Sequence, residues 1–216
     1  RLFEVVAPEG TIVNARAPAA VGARHLIGHV LQGAIFDALA SVLPDRVQAD
    51  SGTPMWTVLL RGIDVDRRAS FSTILFFNGG MGAMRNRPGV SAISFPANIS
   101  NTPIEISENI APIVFRTKRL DQNSIGEGAM RGGLGQIVAF ESRWRGNIRA
   151  SLLTDRIRIP AKGLLGGGAG KPGHIYKNGQ PVEEAKGIVD LKYGDVLELG
   201  LPGGGSREGT GYGAAQ

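Results

Sequence analysis

The sequence predicts an α+β protein of mostly antiparallel β-strands with one long buried helix near the N-terminus. Residues 18–43 carry the one convincing helical pattern, and from Met55 onward short apolar runs are broken by Gly, Pro, Asn or Asp. The 32 glycines among 216 residues are about twice the usual share. They follow no G-X-Y period, which excludes collagen and requires many tight turns.

Residues 2–14 read as strand, turn and strand: 2–6, then Pro8-Glu9-Gly10, then Ile12-Val13. The helix is expected to start at Pro18, where a missing N–H costs nothing, and to stop at Leu43 ahead of Pro44. Leu26, Val30, Leu31, Ala34, Ile35, Ala38, Leu39 and Val42 cover most of its circumference and leave a narrow polar seam of His25, His29 and Gln32. Such a helix is expected to be buried nearly all round. Strands are expected at 56–60, 71–77, 92–95, 104–106, 113–117, 137–142, 148–153, 188–191 and 196–199. Hairpins are expected through Arg145-Gly146-Asn147 and through Lys192-Tyr193-Gly194-Asp195. The Gly-rich stretch 163–173 marks a boundary or long loop. It divides a helix and β-rich core over residues 1–162 from a Gly-rich loop and C-terminal β-hairpin region over 163–216, packed on the same core. Residues 202–216 are expected to be mobile unless a partner holds them.

Apolar residues make up 42% of the chain, enough for a core and against intrinsic disorder. With 24 Lys and Arg against 19 Asp and Glu the formal charge is +5. The basic residues are dispersed, as in Arg67-Arg68, Lys118-Arg119, Arg143 and Arg145, and carboxylates interleave them, so nucleic acid is not an expected partner. Cysteine is absent, which excludes disulfides, zinc-thiolate sites, iron–sulfur clusters and cysteine nucleophiles, and is compatible with a reducing cytoplasm. No stretch has the apolar length to cross a bilayer, and the opening residues run into Pro8 without a signal-peptide pattern. A soluble, cytoplasmic protein is expected, and the missing initiator Met reads as a processed or truncated chain.

Several residues could carry chemistry. His25 and His29 stand four apart, which on a helix places both imidazoles on one face, about 6 Å between Cβ atoms, near enough to share a divalent metal or a phosphate. They lack the Glu of an H-E-x-x-H motif and could equally be core histidines bonded to backbone carbonyls. Asn78-Gly79-Gly80-Met81-Gly82 follows an apolar strand, so its amides could line a pocket at the strand end. If 104–106 is a strand with Ile104 and Ile106 inward, Glu105 faces the other side, and Glu108 is an acid/base or a surface charge. Arg131-Gly132-Gly133 offers a guanidinium for a carboxylate or phosphate, or simply a turn. The run 162–172 is no phosphate loop, because Leu165 and Pro172 stand where a Walker motif needs Gly and Ser or Thr.

The ordered motifs go further. Pro18-Ala19-Ala20-Val21-Gly22-Ala23-Arg24-His25, Leu43-Pro44-Asp45-Arg46-Val47, Gly79-Gly80-Met81-Gly82-Ala83, Pro103-Ile104-Glu105 and Met130-Arg131-Gly132-Gly133-Leu134-Gly135 closely resemble the hydantoinase B family. Asp155-Arg156 with Pro160, Gly166-Gly167-Gly168 with Lys171-Pro172-Gly173, Tyr193-Gly194-Asp195-Val196 and Pro202-Gly203-Gly204-Gly205 continue the resemblance over essentially the whole chain. Members of that family are subunits of ATP-dependent enzymes acting on cyclic amides or ketones, such as N-methylhydantoinases, 5-oxoprolinases, caprolactamase and acetone carboxylase.

The resemblance implies the C-terminal portion of a B-type subunit in a cyclic-amide hydrolase for hydantoin, 5-oxoproline or a lactam. A ketone carboxylase subunit and a non-catalytic assembly module are the alternatives. It implies two polypeptide partners: a hydantoinase A-type subunit that binds ATP, and the N-terminal part of the B-type subunit, where the family's metal-binding Asp/His motifs lie. A divalent metal would then sit mainly outside this chain, with ligands that this sequence does not name. The implied catalytic set is His25, His29, Glu105 and Arg131, and Asn78, Gly79, Gly80, Met81 and Gly82 form the implied substrate-binding wall. Residues 84–88 and 120–128 depart from the family pattern, leaving substrate preference free to differ.

Overall fold

Runs that alternate inward apolar with outward polar residues need a second layer to cover them, and here two sheets cover each other. The computed structural model describes residues 4–64, 68–184 and 186–209. In chain order the elements are α1 (Arg24–Leu39), β1 (Trp56–Asp64), β2 (Ala69–Phe77), α2 (Ile104–Ile110), β3 (Ile113–Asp121), β4 (Gly135–Ser142) and β5 (Asn147–Leu153). They continue with β6 (His174–Lys177), β7 (Gln180–Pro181), β8 (Lys186–Leu191) and β9 (Val196–Gly200). The strands form a four-stranded sheet, order β2-β1-β5-β8, and a five-stranded sheet, order β3-β4-β9-β6-β7. Every pairing between them is antiparallel.

The core lies between the sheets. Trp56, Val58 and Leu60 of β1, Ile148, Ala150 and Leu152 of β5 and Leu191 of β8 meet Val138 and Phe140 of β4 and Leu197 and Leu199 of β9 in one buried cluster. Phe115 bridges Phe77 and Phe140, with ring centroids 6.3 Å and 5.9 Å apart, a spacing that suits aromatic pairing.

The two expected hairpins are sheet-to-sheet corners instead. β4 lies in the five-stranded sheet and β5 in the other, and β8 and β9 divide the same way. Turn chemistry reports that the chain reverses, not whether it stays in one sheet. The corners are tied to each other: Ser142 N–H donates to Asp195 O and Gly194 N–H to Ser142 O, both at 2.9 Å. A true two-residue hairpin joins β6 to β7 through Asn178 and Gly179, with φ of 50° and 76°, the positive pair that Asn-Gly adopts most readily.

Other expectations fail for local reasons. Residues 104–106 open helix α2: Pro103 O accepts the Ser107 N–H at 3.2 Å and the Ser107 hydroxyl at 3.1 Å, so the apparent alternation is the start of a helical turn. Residues 92–95 lie in a turn region and form no strand, and within 4–14 an isolated Thr11–Asn14 bridge replaces the two strands; residues 2–3 of the first lie outside the described residues.

Helix α1 is shorter than expected, and bare. Only Leu26 is buried on it, with Phe36 packing against a small cluster of Val47, Ala49, Ala83 and Leu164. Val30, Leu31, Ile35 and Leu39, with Val42 and Leu43 beyond its end, remain 37–70% exposed. A helix apolar all round needs cover on every side, and the described residues supply cover on one.

The glycines do something the sequence does not announce. Segments 79–83, 130–135, 161–170 and 201–207 cross backbone to backbone. A Cβ on Gly80 would overlap the Gly133 carbonyl oxygen, and one on Gly132 the Gly204 carbonyl oxygen. Gly80 N–H donates to Pro202 O at 3.0 Å, Gly204 N–H to Gly133 O at 2.9 Å and Ala83 N–H to Gly205 O at 2.9 Å. Residues 202–207 are therefore buried rather than mobile; residues 210–216 lie outside the described residues.

Candidate active site

The helix brings His25 and His29 one turn apart, as their spacing requires, with ring centroids 5.8 Å apart and edge to face. His25 is exposed and His29 half-buried. His29 Nδ1 is buried and has no hydrogen-bond partner among the described residues. Burial lowers the His29 pKa, the neighbouring His25 lowers it further, and the Asp155 carboxylate opposes both.

Asp155 follows β5, whose buried residues Ile148, Ala150 and Leu152 fix the strand end in the core. Burial pushes its carboxyl up, against hydrogen bonds from Thr53 and Trp56 and the charges of Arg156 and His29. Trp56 Nε1 donates to Asp155 Oδ1 at 3.0 Å. The next residue, Arg156, holds Asp50 in an ion pair at 2.6 Å, with both side chains largely buried. Arg156 also has φ +56°, a backbone strain that persists only where surroundings impose it. His29, Asp50, Ser51, Asp155 and Arg156 line a gap of about 10 Å³, close to the space one water molecule needs. It adjoins an open cleft of about 190 Å³ under α1, which shares Val30, Asp50 and Arg156 with it. Lys162 Nζ and Asp37 Oδ2, 3.4 Å apart, also border that cleft.

The other expected site residues lie elsewhere. Arg131 is exposed at a separate cleft of about 540 Å³ beside Lys171. Glu105 is exposed in the first turn of α2. There it opposes the fall in pKa that burial imposes on Lys118, whose Nζ donates to Thr102 O at 2.5 Å. Glu108 accepts the Phe115 N–H at 2.7 Å, which ties α2 to β3. Asn78, Gly79, Gly80, Met81 and Gly82 are buried in the glycine crossing. Gly79 N–H donates to Thr53 O at 2.9 Å, Gly52 N–H to Gly80 O at 2.8 Å and Gly82 N–H to Ser51 Oγ at 3.2 Å. This run braces the 51–53 loop from behind.

The profile of the hydantoinase B/oxoprolinase family matches residues 1–215. The chain belongs to that family. Among hydantoinase B relatives, an uncharacterized protein of Methanocaldococcus jannaschii is 34% identical over 99% of this chain and 37% of its own length. A Pseudomonas protein named as the B component of a D-/L-hydantoinase is 31% identical over 63% of this chain and 23% of its own length. The chain thus spans little more than a third of the first of these relatives and less than a quarter of the second. An ATP-dependent caprolactamase from Pseudomonas jessenii shares the fold, with TM-score 0.72 and 21% identity over 95% of this chain and 38% of that one. Nucleotide-free acetone carboxylase does too, with TM-score 0.62 and 16% identity over 82% and 29%.

No group of three or more His, Asp or Glu able to hold a metal ion occurs among the described residues. Two imidazoles supply at most part of a donor set, so the described residues do not by themselves fit a complete divalent site. No helix among the described residues is long and apolar enough to cross a membrane. Sequence reasoning misses Asp50 and the role of Asp155 and Arg156. The Asp155-Arg156 pair is visible in the sequence only as a motif, and nothing local connects it to a histidine more than a hundred positions away.

Proposed function

We propose that this chain is the C-terminal portion of a hydantoinase B-like subunit of an ATP-dependent hydrolase of cyclic amides, whose active site another polypeptide segment completes. The observation that carries this is helix α1: its outer face is apolar and left uncovered by the described residues, while its inner edge carries His29 over Asp155 and Arg156. A soluble protein leaves such a face open where a partner covers it. The partners proposed are the N-terminal part of the B-type subunit and a hydantoinase A-type subunit that binds ATP, both in the cytoplasm.

Phosphorylation of the amide oxygen by the A-type partner gives a leaving group, and water then attacks the activated carbon. A histidine kept neutral by burial is suited to accept the proton of that water, and the nearby Asp155 carboxylate, by its charge, makes the imidazole a stronger base. His25 borders the shared site from the same helix as His29, whereas Glu105 and Arg131 stand apart from it and would act only through what the partner segment adds. Asn78, Gly79, Gly80, Met81 and Gly82 hold its floor. Any divalent metal is held mainly by the partner segment.

The test is ATP-dependent turnover of hydantoins, 5-oxoproline and lactams, and of ketones with bicarbonate, using this chain with and without its companion polypeptides. Turnover of a cyclic amide by the assembled complex is expected, with none from the chain alone. Robust turnover by the isolated chain overturns the shared-site reading. The bare helix also suits a pure assembly module, and His29→Ala separates the two: lost turnover with retained assembly supports catalysis, whereas full turnover supports scaffolding.

A further inference from the structure

The cleft beside Arg131 is built differently from the one under α1. Its walls come from three loops, residues 122–128, Arg131 and residues 169–171, and it encloses about 540 Å³, within the range of small-molecule sites. The loops are fixed by main-chain bonds rather than by the side chains that line it. Lys171 N–H donates to Ser124 O and Gly168 N–H to Glu127 O, both at 2.7 Å, while Arg131 O accepts the Gly89 N–H at 2.9 Å. A Cβ on Gly126 would overlap the Gly168 carbonyl oxygen, so the close approach of the first and third loops depends on glycine.

Arg131 and Lys171, both exposed, line this fixed frame together with Gln122 and Asn123. Neither the Arg131 nor the Lys171 side chain has a hydrogen-bond or ion-pair partner among the described residues. The carboxylate that lines the same cleft, Glu127, leaves the pair of cations in excess. A planar fork and a point charge lining one concavity are the donor set that carboxylate and phosphate oxygens take up.

We propose that this cleft is a binding site for a small anion, a carboxylate or a phosphate, with Arg131 and Lys171 as its ligands. It extends the functional reading above, on which only its meaning for turnover rests, since the binding itself is a property of this chain. The substrates proposed there supply both chemistries: 5-oxoproline carries a carboxylate, and an oxygen phosphorylated by the partner carries a phosphate.

The experiment is calorimetric titration and NMR shift mapping of the full chain with inorganic phosphate, 5-oxoproline and its uncharged ring analogue 2-pyrrolidinone. Saturable binding of phosphate, 5-oxoproline or both is expected, with Kd on the order of 1 mM and shifts confined to residues 121–134 and 168–171. Pyrrolidinone is expected not to bind. Whichever of the two anions binds more tightly names the chemistry. R131Q and K171Q together are expected to weaken binding by at least roughly tenfold, and E127Q to tighten it. Both cations are exposed, so unchanged amide spectra elsewhere show that the variants fold. Absence of saturable binding by either anion, equal binding of pyrrolidinone, or binding indifferent to R131Q/K171Q overturns the proposal. His29→Ala is expected to leave anion binding intact, so a failure of the hydrolase reading stays distinct from a failure of this one.

Discussion

His29 and Asp155 perturb each other in opposite directions, which makes their coupling measurable. A histidine whose pKa is lowered by burial takes up its proton in the unfolded chain before the folded one does. Stability present above about pH 6.5 is therefore lost as pH falls through the folded value. Asp155 counters this by raising the imidazole pKa. In Asp155→Asn the countering charge is gone, so His29 is expected to titrate lower still, read from its imidazole proton shifts. A His29 value that stays put or rises would show that the two side chains do not sense each other. The same logic ranks the histidines for function. His25 is exposed, whereas His29 keeps a buried nitrogen with no partner among the described residues, and a buried unsatisfied polar atom is costly unless something uses it.

At the scale of elements, the two corners that carry the chain from sheet to sheet depend on Asp195. Partial burial pushes its carboxyl up, but hydrogen bonds from Asn178, the Lys192 N–H and Lys177, with the Lys177 charge, outweigh this and hold the pKa at about 2. The lowered value contributes about 2 kcal/mol, fully present above about pH 4 and lost as pH falls toward about 2. Asp195→Ala is expected to lose that increment at neutral pH and to show a flatter stability profile between those limits, measured by urea unfolding. A variant as stable as the parent at pH 7 and at pH 3 would contradict the assignment. The strand runs from 56–60 to 196–199 that the structure retains are legible because they are rich in residues of high β propensity, and 71–77, 148–153, 188–191 and 196–199 also alternate in burial. What is illegible is which sheet each joins: Arg145-Gly146-Asn147 turns the chain equally well inside a sheet or between two. Helix α1 misleads in another way. Its apolar circumference predicts burial within this chain, yet the same pattern serves a helix whose cover comes from elsewhere. Of the candidate site, the His25–His29 spacing is readable, and the partners Asp50, Asp155 and Arg156 are not, because only the fold brings them there.

Over the whole molecule, the feature that joins the clefts to the sandwich is the crossing of glycine segments. Residues 201–207 leave β9, run past 79–83 and 130–135, and meet 161–170, so the backing of the 51–53 loop and the frame of the Arg131 cleft share one backbone layer. Arg207 closes it: fully buried, it donates to Pro44 O at 2.8 Å and Val47 O at 3.4 Å and pairs with Asp45 at 3.2 Å, which anchors the turn after α1. Composition shows the glycines but not that they pack on each other, since the contacts join segments far apart in sequence. If close approach is their purpose, cost should follow space rather than backbone dihedral. Gly132→Ala, whose methyl would meet the Gly204 carbonyl at an ordinary φ, is expected to cost at least about 3 kcal/mol. Gly179→Ala, at φ +76° with nothing within 4 Å, is expected to cost only about 1 kcal/mol of backbone strain. Denaturant unfolding of the two variants compares them directly. Equal costs, or a larger cost at Gly179, would mean that the segments do not pack as described and that the two clefts do not share a rigid frame.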